Sequence, residues 1–266
     1  MPDVSTPPVL RPLGVGEILG TAYLVYRRHA SAMWRVVAVV VALPAALNGA
    51  LAVAERQVRD SSGSSGSLVF LQALVLVVSL VASCLATAAT FRLVVDAYLG
   101  RPIDPGESLR FALKRLSTVI WVSLIVGIGV GIGTLLLIVP GVYLFVAWSV
   151  AVPVLLSENL RGMAALRRSR ELVRGRWWSC AAVLVLAILM ALIAAALVLI
   201  ALTAILGSDG SDSALFLEQG VASLIANTLV LPFWVAATAV LYVDLRVRKE
   251  EFNAQALTHS LSPGGT

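Results

Sequence analysis

Long apolar runs, separated by short polar segments rich in arginine or in glycine and serine, dominate the chain. A helix needs about 20 apolar residues to cross roughly 30 Å of hydrocarbon. Six runs qualify, at about 33–54, 68–99, 118–139, 141–157, 179–206 and 214–245. None alternates apolar with polar in the way a spanning β-strand does, so the pattern predicts an all-α bundle rather than a barrel. Pro140-Gly141 is the only break between the third and fourth runs, which predicts a tight helical hairpin. The second and sixth runs are longer than a bilayer needs and should tilt or protrude. Pro44, Pro153 and Pro232 should kink the helices that contain them. These elements divide the chain into a disordered tail (1–12), a six-helix membrane domain (13–252) and a second tail (253–266).

The segments before the odd-numbered runs repeat a theme. Gly16-Glu17-Ile18-Leu19, Gly106-Glu107-Ser108-Leu109 and Gly162-Met163-Ala164-Ala165-Leu166 each open a basic stretch that leads to Trp34, Trp121 or Trp177. Apolar residues recur at spacings of three and four within each stretch (Ile18, Leu19, Ala22, Tyr23 and Tyr26 in the first), which marks one apolar stripe on a helix. Each even-numbered run ends on an acid: Asp96, Glu158 and Asp244. The chain therefore reads as three units, each an interfacial amphipathic helix followed by a transmembrane hairpin.

Composition agrees with this: 59% hydrophobic and 13% charged residues, against about 25% charged in a soluble domain. Charge then orients the bundle. Placing the Arg-rich connectors inside puts 18 of the 20 basic residues there, leaving Arg56 and Arg59 outside. The positive-inside rule thus predicts cytoplasmic N and C termini. The richness in Ala, Val and Arg, with lysine only at 114 and 249, suggests a bacterial plasma membrane. No cleavable leader is apparent, since a polar, Pro-bearing stretch precedes the first run.

Candidate chemistry is sparse. Arg27, Arg28, Arg110, Lys114, Arg115, Arg167, Arg168, Arg170, Arg174 and Arg176 gather at one membrane face. There they anchor the protein or contact anionic lipid headgroups or an acidic partner. No nucleic acid is expected, because no binding module accompanies them. Arg92, Asp96, Glu158, Asp244 and Arg246 lie at the inner helix ends: Arg92 and Asp96, four apart, can pair on one helix face, and the acids should pair with arginines of a neighbouring unit's interfacial helix. Gly127, Gly129, Gly131 and Gly133 form two overlapping small-xxx-small pairs, suited to close packing or to lining a pore. Asn227 can hydrogen-bond between helices at mid-membrane.

No catalytic, cofactor-binding or metal-binding residue can be assigned. His29 and His259 have no carboxylate in a usable motif, and Cys84 and Cys180 read as small core residues. Gly63-Ser64-Ser65-Gly66 mimics a nucleophile motif inside a Gly/Ser loop.

Distributed landmarks carry a family resemblance. Arg11-Pro12-Leu13-Gly14-Val15-Gly16-Glu17-Ile18-Leu19, Tyr26-Arg27-Arg28-His29, Val139-Pro140-Gly141-Val142-Tyr143, Leu166-Arg167-Arg168-Ser169, Val173-Arg174-Gly175-Arg176-Trp177-Trp178 and Tyr242-Val243-Asp244-Leu245-Arg246-Val247-Arg248-Lys249-Glu250 resemble the bacterial glycerophosphoryl diester phosphodiesterase membrane domain. That family takes its name from a soluble barrel fused to some members, so the resemblance implies no catalytic residue here. It implies a membrane accessory component, whose partners would be membrane lipids, another membrane protein or a cytoplasmic MoxR-type ATPase. A homo-oligomer fits the same picture. The sequence thus favours a non-enzymatic scaffold or accessory subunit, with a carrier or channel for a small or amphiphilic solute as the alternative.

Overall fold

In a computed structural model, residues 12–61, 66–206 and 211–250 are described. Residues 1–11 and 251–266, which take in the proposed second tail (253–266) and all but Pro12 of the first (1–12), lie outside these residues, as does most of the Gly/Ser loop. Eight helices and no strands occur among the described residues: α1 (Val15–Ser61), α2 (Gly66–Tyr98), α3 (Pro105–Leu136), α4 (Ile138–Ala147), α5 (Ala151–Glu158), α6 (Met163–Val173), α7 (Trp177–Leu206) and α8 (Asp212–Glu250). Six spans, counting α4 and α5 as one, are long and apolar enough to cross a membrane. The chain is a multi-pass, all-α membrane protein.

The helix ends follow local chemistry. Asp104 caps α3, its Oδ1 accepting the N–H groups of Gly106 (2.8 Å) and Glu107 (3.3 Å), with Pro105 at the first helical position. That pairs a strong N-cap with a residue that has no N–H to leave orphaned. At the end of α2, Gly100 takes a left-handed conformation (φ 66°), so the Gly100 and Arg101 amides can close on the carbonyls of Ala97 and Asp96.

The three basic segments differ in how they join their spans. The first bends into its span at His29, the one non-helical residue inside α1. The second runs unbroken into its span, so α3 is a single helix of 32 residues, ~48 Å long. Only the third, α6, is a separate helix. No non-helical residue marks Pro232 in α8.

The hairpin between the third and fourth runs turns at Leu137, in extended conformation, three residues before the expected Pro140-Gly141 break. Pro140 falls in the first turn of α4, where its missing N–H removes no helical bond. Gly141 has a different task. A Cβ there would lie 2.1 Å from Thr134 Oγ1 and 2.6 Å from the Thr134 nitrogen, so α3 and α4 meet backbone to backbone.

The fourth span breaks again at Trp148–Val150, between α4 and α5, with Pro153 in the first turn of α5. Non-helical backbone at membrane depth survives only where protein covers it. Here α6 supplies the cover: the buried Ser169 hydroxyl donates to the Ala147 carbonyl at 2.9 Å. Ala165, Leu166, Leu172 and Val173 of α6 are buried beside it.

α1 and α8 pack antiparallel along most of their length. Close approach at the far end depends on Gly49, where a Cβ would meet the Phe216 carbonyl at 2.7 Å, and on Gly220 against Ala45. Arg56 and Gln57 of α1 also reach Asp212 there, at 3.7 and 3.1 Å. The core is concentrated toward the basic end, where Leu93, Leu155, Leu156, Leu166, Leu172, Leu184, Tyr242 and Leu245 are almost fully buried. Toward the far end Phe70, Leu76, Ile128, Ile132, Ile193 and Ile200 are exposed. In lipid such exposure carries little penalty, because acyl chains are as apolar as the side chains.

Candidate functional site

The three acids at the helix ends of the basic face each organise a cluster. Glu158, closing α5, accepts from Arg168 Nε of α6 at 2.9 Å and from the Tyr242 hydroxyl of α8 at 3.0 Å. Arg246 approaches the same carboxylate at 3.7 Å and donates to the Tyr242 oxygen at 3.1 Å. Glu250 joins the network through Arg168 and through Arg246 at 2.9 Å. Five side chains from three helices are thereby locked together.

Asp244 accepts the backbone N–H of Leu13 at 2.7 Å and holds Arg248 at 2.8 Å, while Arg248 donates back to the Leu13 carbonyl at 2.6 Å. This clamp ties the start of the chain to the end of α8. Asp96 pairs with Arg92 at 2.9 Å and lies 4.0 Å from Arg101, and Arg92 reaches Glu107 of α3 at 3.9 Å. The expected pairing with an arginine of the next unit therefore occurs at Glu158. Asp96 forms the i,i+4 pair with Arg92 that their spacing allows and also approaches Arg101 of the segment leading to α3, while Asp244 pairs with Arg248 of its own helix and reaches the first segment through the Leu13 amide.

The ten basic candidates separate into two groups. Arg168 is committed to Glu158 and Glu250. Arg115 donates toward the Leu156 and Leu155 carbonyls at 3.3 and 3.5 Å, capping the end of α5, and stacks over Phe111 at 5.0 Å. A cation near terminal helix carbonyls is favourable. Arg176 is half-buried, and Arg170, although exposed, lies 6.0 Å over the Tyr143 ring. By contrast, Arg27, Arg28, Arg110, Lys114, Arg167 and Arg174 are exposed. Among the described residues Arg167 has only the exposed, i,i+4 partner Glu171 at 3.8 Å, a contact of small energetic weight.

The glycine pairs also separate. Gly129 faces Trp148, which a Cβ would meet at 2.5 Å, and Gly133 faces Gly141 at 3.2 Å. Gly127 and Gly131 have nothing within 4 Å of the place a Cβ would take and are exposed. One pair seats the hairpin and the other faces outward.

At mid-depth a cavity of about 60 Å³ opens between α1, α2 and α8, lined by the polar residues Asn48, Ser79, Ser83, Ser223 and Asn227. Their donors turn to their own helices: Asn48 to the Pro44 carbonyl (2.8 Å), Ser83 to Leu80 (2.9 Å), Ser223 to Gly220 (2.9 Å) and Asn227 to Ser223 (2.7 Å). Asn227 therefore bonds within α8 and not across helices. It also borders a more apolar groove of about 240 Å³ between α7 and α8. Among the described residues no three His, Cys, Asp or Glu side chains gather to hold a metal ion.

Sequence reasoning did not assign several residues to these sites. Tyr242, Arg248 and Glu250 complete the clusters, and Asn48 faces the polar cavity. The spacing of four between Arg246 and Glu250 and between Asp244 and Arg248 is a visible signal for two of the pairs. Nothing in the sequence predicts a hydroxyl from Tyr242 on Glu158.

A family model described as a domain of unknown function, DUF8558, matches residues 108–263. No curated protein and no solved structure matches the chain.

Proposed function

We propose that this chain, which belongs to the DUF8558 family, serves as a non-enzymatic membrane scaffold or accessory subunit. In this proposal its basic face lies in the cytoplasm of a bacterial cell and engages anionic lipid or an acidic membrane partner. The observation that carries the proposal is a division of labour among charges. Asp96, Glu158, Asp244 and Glu250 are all bonded to cations within the bundle. Arg27, Arg28, Arg110, Lys114 and Arg174 remain exposed on the same face. A positive surplus on a membrane plane attracts anionic headgroups at about 1 kcal/mol per cation. The resemblance to the membrane part of the glycerophosphoryl diester phosphodiesterase family supports the same role, as it carries no catalytic residue.

The test is gentle extraction from native membranes followed by native mass spectrometry, comparing wild type with a variant in which Arg27, Arg28, Arg110, Lys114, Arg167 and Arg174 are all Gln. A bound anionic lipid or stoichiometric protein partner that is lost in the variant is the expected result. Identical complexes from both proteins would sink the proposal.

A carrier for a small amphiphilic solute is the second reading, favoured by Asn227, which borders both the polar cavity and the α7–α8 groove. Solute flux into proteoliposomes that Asn227→Leu abolishes would establish it; absence of flux with wild-type protein returns the role to scaffold.

A further inference from the structure

At the basic end, a second pocket of about 230 Å³ opens between α3 and the segment that follows α5. Lys114, Arg115 and Arg161 line it together with Thr118, Leu155 and Leu160, and no carboxylate does. Three cations around one small concavity, with no acid in its wall, create a field that only an anion relieves. Arg115 is held in place from behind by the α5 carbonyls and the Phe111 ring. Lys114 and Arg161 are exposed and make no ion pair among the described residues. Asn159, also in the wall, stands in the left-handed conformation (φ 55°) that carries the chain sharply out of α5 and puts Arg161 opposite α3.

The pocket is below the ~300–1,000 Å³ of sites that enclose a whole small molecule. It has room for a headgroup, and the remainder of the ligand must lie outside. α3 supplies that outside surface. Lys114, Thr118, Trp121, Ile125, Ile128, Ile132 and Leu135 follow one another at steps of three and four, so they form a single stripe. Beyond the half-buried Ile125, this stripe is exposed and apolar: Trp121 is 65% exposed, Ile128 59% and Leu135 87%. A polar, cationic mouth thus continues into an apolar track running toward the opposite side of the bilayer.

We propose that this pocket binds the phosphate headgroup of an anionic phospholipid, with Lys114, Arg115 and Arg161 as its cationic ligands, Thr118 as a hydroxyl donor and an acyl chain lying along the Trp121–Leu135 stripe of α3. This deepens the basic-face proposal by assigning one specific site within it. A free phosphate would satisfy the three cations but would make no use of the stripe, which is why a lipid is the occupant.

The experiment reconstitutes the full chain in nanodiscs of phosphatidylcholine doped with phosphatidylglycerol and counts, by native mass spectrometry, the phosphatidylglycerol retained after release. Wild type should retain it, Lys114→Gln/Arg161→Gln should retain about thirtyfold less, and Arg56→Gln, which removes a cation at the far end beside Asp212, should retain as much as wild type. The charge-preserving Lys114→Arg/Arg161→Lys should also hold lipid, which guards against a folding artefact. Unchanged retention in Lys114→Gln/Arg161→Gln, with loss in Arg27→Gln/Arg28→Gln, would overturn the pocket while leaving the basic-face proposal standing. No preference for phosphatidylglycerol in any protein would overturn both. Displacement of the lipid by inorganic phosphate in the outer buffer would make the ligand a free anion and overturn the lipid assignment.

Discussion

Glu158 shows how much one side chain carries when it is withdrawn from solvent between three helices. It accepts hydrogen bonds from Arg168 and Tyr242 and draws Arg246 close, so its charge neutralises cations that would otherwise repel one another. Removing one partner from such a cluster leaves the rest uncompensated, at a cost of about 3–5 kcal/mol in buried cases. Glu158 keeps some exposure, so the lower part of that range applies. Glu158→Gln is isosteric and should lower the thermal midpoint of the detergent-solubilised protein clearly, while Glu171→Gln, at the exposed pair with Arg167, should leave it within error. Equal midpoints for the two variants would show that the network holds nothing together. The acid's place at a helix end was legible in the sequence, but Tyr242, 84 residues away, was not.

At the scale of elements, the α3–α4 hairpin separates two roles that the run Gly127–Gly133 blends. Residues two apart on a helix lie about 200° from one another, so a pattern of alternate glycines must split between faces. Gly129 and Gly133 turn to α4, and Gly127 and Gly131 turn away. Gly141→Ala would drive a methyl group into the Thr134 backbone, and its expected effect is a loss of several kcal/mol or failure to fold. Gly127→Ala meets nothing and removes a weak helix former, so it should be neutral or stabilise by up to about 1 kcal/mol. Unfolding in a denaturing detergent titration compares the two, and a destabilising Gly127→Ala would mean that this face is also packed. The break inside the fourth span had no counterpart in the sequence, because residues 148–150 (Trp-Ser-Val) carry no charge, proline or glycine to mark it. It exists because α6 covers it and Ser169 accounts for the Ala147 carbonyl.

On the scale of the whole molecule, the uneven distribution of burial is the main property. A dense core at the basic end and lipid-facing apolar surface at the other make the basic half the rigid one. Orientation can be checked by chemical labelling, since Cys84 and Cys180 are both buried and should stay silent. Met163→Cys, on the exposed start of α6, should react with a membrane-impermeant maleimide only from the cytoplasmic side. Ser213→Cys, at the start of α8, should react only from the other. The opposite pattern would invert the assigned topology and place the basic face outside.

The number of spans, their helical nature and the gathering of cations at one end were determined by the sequence alone. They follow from lengths of uninterrupted apolar residues and from charge along the chain, which are one-dimensional properties. Which cations stay free was decided only by tertiary structure. Arg115 and Arg168 look no different in sequence from Lys114 and Arg167, yet two are held inside and two face outward. That choice depends on which helix ends and which carboxylates the fold brings within hydrogen-bonding distance. Contacts of that kind join residues 10 to 235 positions apart, and no local pattern encodes them.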